Sequence, residues 1–245
     1  MEDTKTTISR RGLFRFGALT VLSAAAAPLI HLGHAEAQSS TVCNPGAPST
    51  PAEALAALMA GNARWSTGDQ THPNEDSDRR TCLANNSQTP FASILSCSDS
   101  RCAPELVFDQ GLGDIFVARV AGNTASGRLI DTLLFGTAGL GSVLLFVMGH
   151  TSCGAVINAV KIYPNASNQL PFLNLIFPAV KAARKIVKKQ GGDPKDPTQV
   201  IPVATEQNVL ITMSRLRKQL NLDPSAVAGG IYDLSTQVVT QVTPS

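Results

Sequence analysis

Histidine is scarce in this sequence, and its scarcity limits the kinds of metal site that the chain can build. The 245 residues include only four histidines, of which His31 and His34 fall in an amino-terminal segment with the features of a leader. His72 and His150 are the two that remain once that segment is set aside. A metal site made of three histidines is therefore excluded, as is catalysis by several imidazoles.

Excess charge, aromatic side chains and phosphate-binding motifs are also scarce. The formal net charge is +2, and the chain has one Trp and two Tyr. A nucleic-acid partner is usually marked by a strongly basic surface and by aromatic rings on which bases stack. Neither GxGxxG nor GxxxxGKS/T occurs in the sequence. We therefore expect no nucleic-acid partner and no phosphate-binding loop.

The amino-terminal apolar run is too short for a membrane-spanning helix. It covers residues 16–30 and is interrupted by polar residues and a proline, whereas a span needs ~20 apolar residues. Arg10 and Arg11 precede the run, and Ala-Glu-Ala at residues 35–37 follows it. This order is typical of a cleaved leader, and paired arginines favour the twin-arginine route. We predict a signal peptide at residues 1–37, export to a bacterial periplasm or the exterior, and no stable membrane anchor.

The rest of the sequence has the pattern of an α/β protein. Residues 38–49 are rich in Ser, Pro and Gly and predict a linker before a single domain at residues 50–245. A capping box at residues 50–53 predicts the start of the first helix. Strand-like and helix-like segments then alternate, with strands predicted at residues 91–95, 115–120 and 143–148 and a last, edge strand at 231–240. We predict an α/β fold in which helices flank a mostly parallel central sheet.

Chemically reactive side chains directly follow two of these predicted strands. Cys97 comes after the strand at residues 91–95, and His150 and Cys153 come after the strand at residues 143–148. Open α/β sheets bind ligands at the carboxyl ends of their strands. Two thiolates and one imidazole make a tetrahedral zinc site with one open position, which metal-assisted hydration or hydrolysis requires. We therefore predict that Cys97, His150 and Cys153 bind Zn²⁺.

Two charged residues, Asp99 and Arg101, follow Cys97 at alternate positions. The carboxylate of Asp99 can orient a water molecule at the open position of the metal. It can instead bind the metal as a fourth ligand, which would close the site. Arg101 is expected to keep Asp99 ionised, because an opposite charge within a few ångströms favours the charged form. The residues alone leave both roles of Asp99 open.

The pattern Cys-x-Asp-x-Arg at residues 97–101, followed by His-x-x-Cys at residues 150–153, resembles the β-class carbonic anhydrases. Further segments that resemble the family lie along most of the mature chain, at residues 61–65, 104–105, 109–114, 119–123 and 230–234. Each segment is short, and the resemblance depends on their occurrence together with the metal-ligand pattern.

The resemblance has implications for activity, site and assembly. It implies zinc-dependent reversible hydration of carbon dioxide to bicarbonate and a proton, with Asp99 and Arg101 as the catalytic dyad beside the zinc ligands. It also implies substrate contacts from Gln88 and from the backbone N–H of Gly154, and Phe135 stands in the substrate pocket where many members have a tyrosine. Family members form this apolar pocket at the subunit interface, so we expect a homodimer or a homotetramer.

Three other functions fit parts of the same pattern. A hydrolase with a thiol nucleophile at Cys97 or Cys153 and His150 as base needs no metal, but it leaves the other thiol and the Asp–Arg pair without a role. A non-catalytic, zinc-dependent binding protein fits if Asp99 closes the site permanently. A hydrolase of carbon disulfide or carbonyl sulfide fits the same fold, and the sequence offers little to distinguish it.

The remaining cysteines leave the disulfide pattern open. An exported protein lies where disulfides form, but an odd number of cysteines cannot all be bridged. If Cys97 and Cys153 bind a metal, then Cys43, Cys82 and Cys102 remain. A bridge between Cys43 and Cys82 is one of the pairings available.

Overall fold

The computed structural model of the chain describes residues 43–243. The predicted signal peptide at residues 1–37 lies outside these residues, as does the first part of the predicted linker. Within residues 43–243, no helix combines the length and the apolar character that crossing a membrane requires.

Five strands form a single sheet in the described part of the chain. They are Ala92–Ser96 (β1), Ile115–Arg119 (β2), Leu144–His150 (β3), Val227–Tyr232 (β4) and Val239–Gln241 (β5). The order across the sheet is β2-β1-β3-β4-β5, with the first four strands parallel and β5 antiparallel to β4. The predicted α/β fold with a mostly parallel sheet is therefore confirmed.

Helices cover both faces of this sheet. The α-helices in residues 43–243 are Pro51–Thr67 (α1), Ser77–Asn85 (α2), Pro104–Val107 (α3), Gly127–Leu134 (α4), Gly154–Ile162 (α5), Phe177–Lys189 (α6) and Pro197–Leu220 (α7). Successive residues of β3 enter two different apolar clusters. Phe146 belongs with Leu58 of α1, whereas Val147 belongs with Leu133 of α4 and Val209 of α7. Burial on both faces explains why β3 is almost wholly apolar.

The two central strands end at the same edge of the sheet. Every residue of β1 and β3 is buried, and Ser96 at the end of β1 is paired with Met148 in β3. Because the strands are parallel, the residues that follow these two positions emerge side by side. The register therefore brings Cys97 and His150 to one place.

The first helix begins as predicted and is held by one buried amide. The Thr50 hydroxyl accepts from the N–H of Glu53 (3.2 Å), and the Glu53 carboxylate accepts from the N–H of Thr50 (3.1 Å). Further along α1, the buried Asn62 donates to the carbonyl of Val107 (3.1 Å) and accepts from the N–H of Val239 (2.7 Å). One side chain therefore joins α1 to both α3 and β5.

The end of the sheet differs from the prediction. The single edge strand predicted at residues 231–240 is wrong, because the chain forms β4 and β5 with a turn between them. In the turn, Oδ1 of Asp233 accepts from the N–H groups of Ser235 (2.8 Å) and Thr236 (2.9 Å), and Gln237 has a φ of 64°. A side chain that satisfies nearby N–H groups offers the backbone an alternative to the strand ladder.

The beginning of β4 was missed because it contains two glycines, which are poor strand formers. A Cβ atom on Gly229 would lie 2.6 Å from Sδ of Met213 in α7. A Cβ atom on Gly230 would lie 2.8 Å from Cγ1 of Val239 and 2.9 Å from the carbonyl oxygen of Thr240, both in β5. The glycines therefore allow α7 and β5 to approach β4 closely.

The segment before α1, predicted as a linker, is attached to the rest of the described chain. Cys43 forms a disulfide with Cys82 in α2. Asn44 donates to the buried carboxylate of Asp114 (2.9 Å), which also pairs with the Arg79 guanidinium (3.0 Å). Arg79 also donates to the carbonyl of Cys43. A covalent bond and a buried ion pair thus act on the same short stretch.

We expect Gly230→Ala to lower the free energy of unfolding by about 1–3 kcal/mol, because the added methyl group would overlap the backbone of β5. Gly127→Ala is the matched control, since a Cβ atom at this first residue of α4 would have no neighbour within 4 Å. The control should leave stability unchanged or slightly raised. Urea unfolding followed by circular dichroism measures both, and equal effects would contradict the close packing described for β4.

Candidate metal centre

A buried group of two thiols and one imidazole lies at the carboxyl edge of the sheet. The potential ligand atoms of Cys97, His150 and Cys153 all lie within 4.8 Å of one another, and the two sulfur atoms are 4.0 Å apart. None of the three residues is more than 5% exposed. The structure thus brings together the three residues predicted to bind zinc. We call this group the thiol–imidazole cluster.

Two strand ends and one helix start fix the positions of the cluster. Cys97 directly follows β1, His150 is the last residue of β3, and Cys153 directly precedes α5. Between His150 and Cys153 the chain turns through Ser152, whose φ is 55°. The tight turn lets a strand and the following helix present ligands to the same space.

The ring of His150 is oriented by its own loop. Its Nδ1 lies 2.9 Å from the carbonyl oxygen of Thr151, and this contact assigns the ring proton to Nδ1. The N–H of Thr151 in turn donates to the carbonyl of Tyr232 in β4 (2.9 Å). Nε2 is buried and has no hydrogen-bond partner among residues 43–243. An unpartnered imidazole nitrogen beside two thiols is a donor set that fits Zn²⁺.

The two thiols of the cluster differ in their acidity. The hydrogen bond from the Cys153 thiol lowers the pKa of Cys97 against the effect of burial, and the N–H of Gly122, which lies 3.3 Å from the sulfur, acts in the same direction. The same contact, together with burial, raises the pKa of Cys153. The pair therefore favours a thiolate at Cys97 and a proton on Cys153, which a divalent cation bound to both sulfurs would displace.

An ion pair between Asp99 and Arg101 lies beside the cluster. Nε and Nη2 of Arg101 donate to Oδ1 (2.9 Å) and Oδ2 (2.8 Å) of Asp99, and the backbone N–H of Arg101 donates to Oδ1 (3.0 Å). The side-chain hydrogen bonds from Arg101 hold the pKa of Asp99 well below its usual range. Oδ2 of Asp99 lies 3.9 Å from Nε2 of His150. An ionised carboxylate thus borders the cluster in a fixed orientation.

Comparison with known proteins identifies the family. A family model described as carbonic anhydrase matches residues 92–239, which include the thiol–imidazole cluster, Asp99 and Arg101. A curated carbonic anhydrase from Mycolicibacterium smegmatis is 32% identical over 188 residues, covering 76% of this chain and 91% of that protein. The chain belongs to the carbonic anhydrase family. Carbonic anhydrase 2 from Mycobacterium tuberculosis is 44% identical over 106 residues, covering 43% of this chain and 51% of that protein.

Solved structures show which class of carbonic anhydrase shares the fold. A tetrameric β-carbonic anhydrase from Sordaria macrospora superimposes with a TM-score of 0.55 at 20% identity, covering 78% of this chain and 97% of that one. A Coccomyxa β-carbonic anhydrase solved with acetazolamide gives a TM-score of 0.53 at 22% identity, covering 77% and 86%. The resemblance to the β class is therefore confirmed for the fold.

Of the three residues predicted to line the substrate pocket, Gln88, Phe135 and Gly154, only Gly154 lies at the cluster of its own chain. It is exposed, is the first residue of α5, and has no atom near the position that a Cβ would take. Gln88 is exposed in the loop before β1, at the opposite end of that strand from Cys97. Phe135, 55% exposed, packs edge-on against Phe116 near the beginning of β2, with 6.1 Å between ring centres. The structure therefore does not bring Gln88 or Phe135 to the cluster of their own chain.

The sequence did not predict the side chains that bind the backbone next to the cluster. Arg119 at the end of β2 donates to the carbonyls of Cys97 and Asp99. Asn208 in α7 donates to the carbonyl of Gly122 (2.9 Å), whose N–H faces the Cys97 sulfur. Arg119 and Gly122 lie in a segment that resembles the family, which signalled their importance without their contacts. For Asn208 the sequence gave no signal.

Proposed function

We propose that the chain is an enzyme that catalyses the zinc-dependent, reversible hydration of carbon dioxide to bicarbonate and a proton. The observation that carries this proposal is the juxtaposition of the thiol–imidazole cluster with the Asp99–Arg101 pair. Cys97, His150 and Cys153 would hold the metal, which when bound supplies the Lewis acidity that activates water.

In this proposal Asp99 orients the attacking water rather than serving as a permanent fourth ligand. Two donors from Arg101 engage Oδ1, whereas Oδ2 receives one and borders His150. Oδ2 therefore retains acceptor capacity on the side of the cluster, and an ionised carboxylate can only accept hydrogen bonds. A water held there has its proton directed towards Asp99 and its oxygen free to approach carbon dioxide.

Gly154 is suited to contact the substrate oxygens. Its N–H belongs to the first turn of α5, where backbone donors lack partners within the helix and the helix dipole favours negative charge. Carbon dioxide gains negative charge on oxygen as it becomes bicarbonate. The N–H of Gly154 would therefore bind the product side of the reaction more strongly than the neutral substrate.

We propose a homodimer or homotetramer in which a second copy completes the substrate pocket. Gln88 and Phe135 lie away from the cluster of their own chain, and both are exposed. The neighbouring Leu134 is also 44% exposed, and β2 is an edge strand of the sheet, so an apolar surface lies beside a strand edge that nothing in residues 43–243 pairs with. A partner subunit placed against this side can cover both and bring its own Gln88 and Phe135 to the site.

We also propose that the protein is exported through the twin-arginine signal predicted at residues 1–37, to a periplasm or the exterior. The Cys43–Cys82 disulfide supports an oxidising destination, where such bonds persist. Cell fractionation with amino-terminal sequencing tests this, and an uncut leader retained in the cytoplasm would refute it.

We expect wild type and Asp99→Asn to contain equimolar zinc, and carbon dioxide hydration to fall about a hundredfold or more in the variant. The amide keeps the shape of the side chain but loses the charge that orients water. Asp131→Asn, an exposed position on α4, is the matched control and should match wild type. Elemental analysis and stopped-flow hydration with a pH indicator provide the two measurements.

The remaining outcomes of this experiment would favour a different function or a different role for Asp99. Equimolar zinc without hydration in the wild type would favour the binding protein or the sulfur-substrate hydrolase, and rates on carbon disulfide and carbonyl sulfide distinguish these. Wild-type protein without zinc that still hydrolyses esters would favour the thiol nucleophile. Full hydration by Asp99→Asn would remove Asp99 from the proposed mechanism.

Mixing two inactive variants tests whether Gln88 acts across the interface. Cys153→Ala removes a metal ligand, and Gln88→Ala removes a donor to the substrate, so we expect each homo-oligomer to have strongly reduced activity. In a mixed oligomer, an intact cluster on the Gln88→Ala chain can meet an intact Gln88 from its partner. Hydration should therefore rise well above both parents after subunit exchange. If Gln88 serves its own chain, no mixed site is intact and mixing produces no rise.

A further inference from the structure

Arg119 binds the backbone that separates the cluster from the dyad. It is the last residue of β2 and is half-buried. Its Nε donates to the carbonyl oxygen of Cys97 (2.9 Å), and its Nη2 donates to the carbonyl oxygen of Asp99 (2.6 Å). One planar guanidinium thus spans two carbonyls that are two residues apart. Hydrogen bonds from a charged donor are stronger than those between neutral groups.

Cys102 adds two donors to one of these carbonyls. Its backbone N–H and its thiol each lie 3.3 Å from the carbonyl oxygen of Asp99. Cys102 is fully buried, yet it is not part of the group of potential metal ligands found in residues 43–243. The third buried thiol therefore binds backbone beneath the site instead of contributing to the cluster.

The contacts from Arg119 and Cys102 hold the short segment from Cys97 to Asp99, whose two ends have different functions. Cys97 has just left the ladder of β1, and Asp99 lies in the loop beyond it. Arg119 binds the backbone carbonyls of both residues, while the Cys97 sulfur belongs to the cluster and the Asp99 carboxylate borders it. If the carbonyls were released, the peptide groups could rotate, and the sulfur and the carboxylate would move with them.

We propose that Arg119 is a positioning residue whose guanidinium fork sets the Cys97 sulfur and the Asp99 carboxylate in register with each other, with Cys102 as its auxiliary. For turnover this inference rests on the proposed function, but for metal retention it does not. The fork matters more than the charge, because an ammonium group is a point donor that cannot span both carbonyls in a fixed plane. Arg119→Lys therefore separates geometry from charge.

The test compares wild type, Arg119→Lys and the matched control Arg128→Lys, which makes the same change at an exposed position of α4. All three are purified with zinc bound. We expect zinc release to a chelator to be about tenfold faster in Arg119→Lys, and kcat for hydration to fall about tenfold with KM little changed. The cobalt(II)-substituted protein should also show shifted visible bands. A role in stability alone would lower Tm without moving the spectrum or the release rate of the folded protein.

The outcomes separate this inference from the function on which part of it rests. Wild-type spectra and release rates in Arg119→Lys would overturn the positioning role, whatever the activity. If the wild type lacks hydration activity but Arg119→Lys still releases zinc faster and shifts the cobalt bands, the proposed function fails and the positioning role is supported.

A second variant keeps the inference testable if Arg119→Lys does not fold. Cys102→Ala removes one donor to the Asp99 carbonyl and leaves Arg119 and the net charge in place. It should retain equimolar zinc and release it several-fold faster than wild type, in the same direction as Arg119→Lys but by less. Unchanged release by Cys102→Ala, measured beside unchanged Tm, would contradict the shared support of that carbonyl.

Discussion

The parallel pairing of β1 with β3 is the constraint on which the site depends. Both strands are buried on both faces, so their register is fixed by packing, and a slip of one residue would reverse every side chain. The pairing of Ser96 with Met148 then leaves Cys97 and His150 side by side at the point where the ladder ends. The packed strands beneath them therefore set the positions of these reactive side chains.

Three of the site side chains at this edge are each held by a neighbouring polar group. Thr151 orients His150, Gly122 supports the sulfur of Cys97, and Arg101 orients Asp99. Most of these partners are backbone groups or charged donors, which have few alternative arrangements in a partly dry site. Such a site is assembled when the protein folds, so that little needs to rearrange as the reaction proceeds.

The sequence was most informative where chemistry follows local order. An apolar run that ends in Cys-x-Asp-x-Arg, and another that ends in His-x-x-Cys, predicted the cluster, because parallel strands share one active edge. The sequence did not predict hydrogen bonds between residues far apart in the chain. Asn208 lies 86 residues from Gly122, and nothing in the local pattern of α7 distinguishes Asn208 from its neighbours. The division into β4 and β5 was also missed. Gly229 and Gly230 allow close packing of β4, but glycines weaken the sequence pattern from which a strand is predicted. Gln88 and Phe135 were predicted from the family resemblance alone, and the structure leaves both of them exposed and away from the cluster of their own chain.

Two pairs of cysteines in this chain are in different chemical states. Cys43 and Cys82 are joined, whereas the sulfurs of Cys97 and Cys153 stand 4.0 Å apart with one thiolate already favoured. A thiolate beside a thiol is the reactant for disulfide formation as well as for metal binding. An oxidant that reached Cys97 and Cys153 before a cation did would meet the two reactants of a second disulfide. A cation bound to both sulfur atoms would therefore protect Cys97 and Cys153 from oxidation.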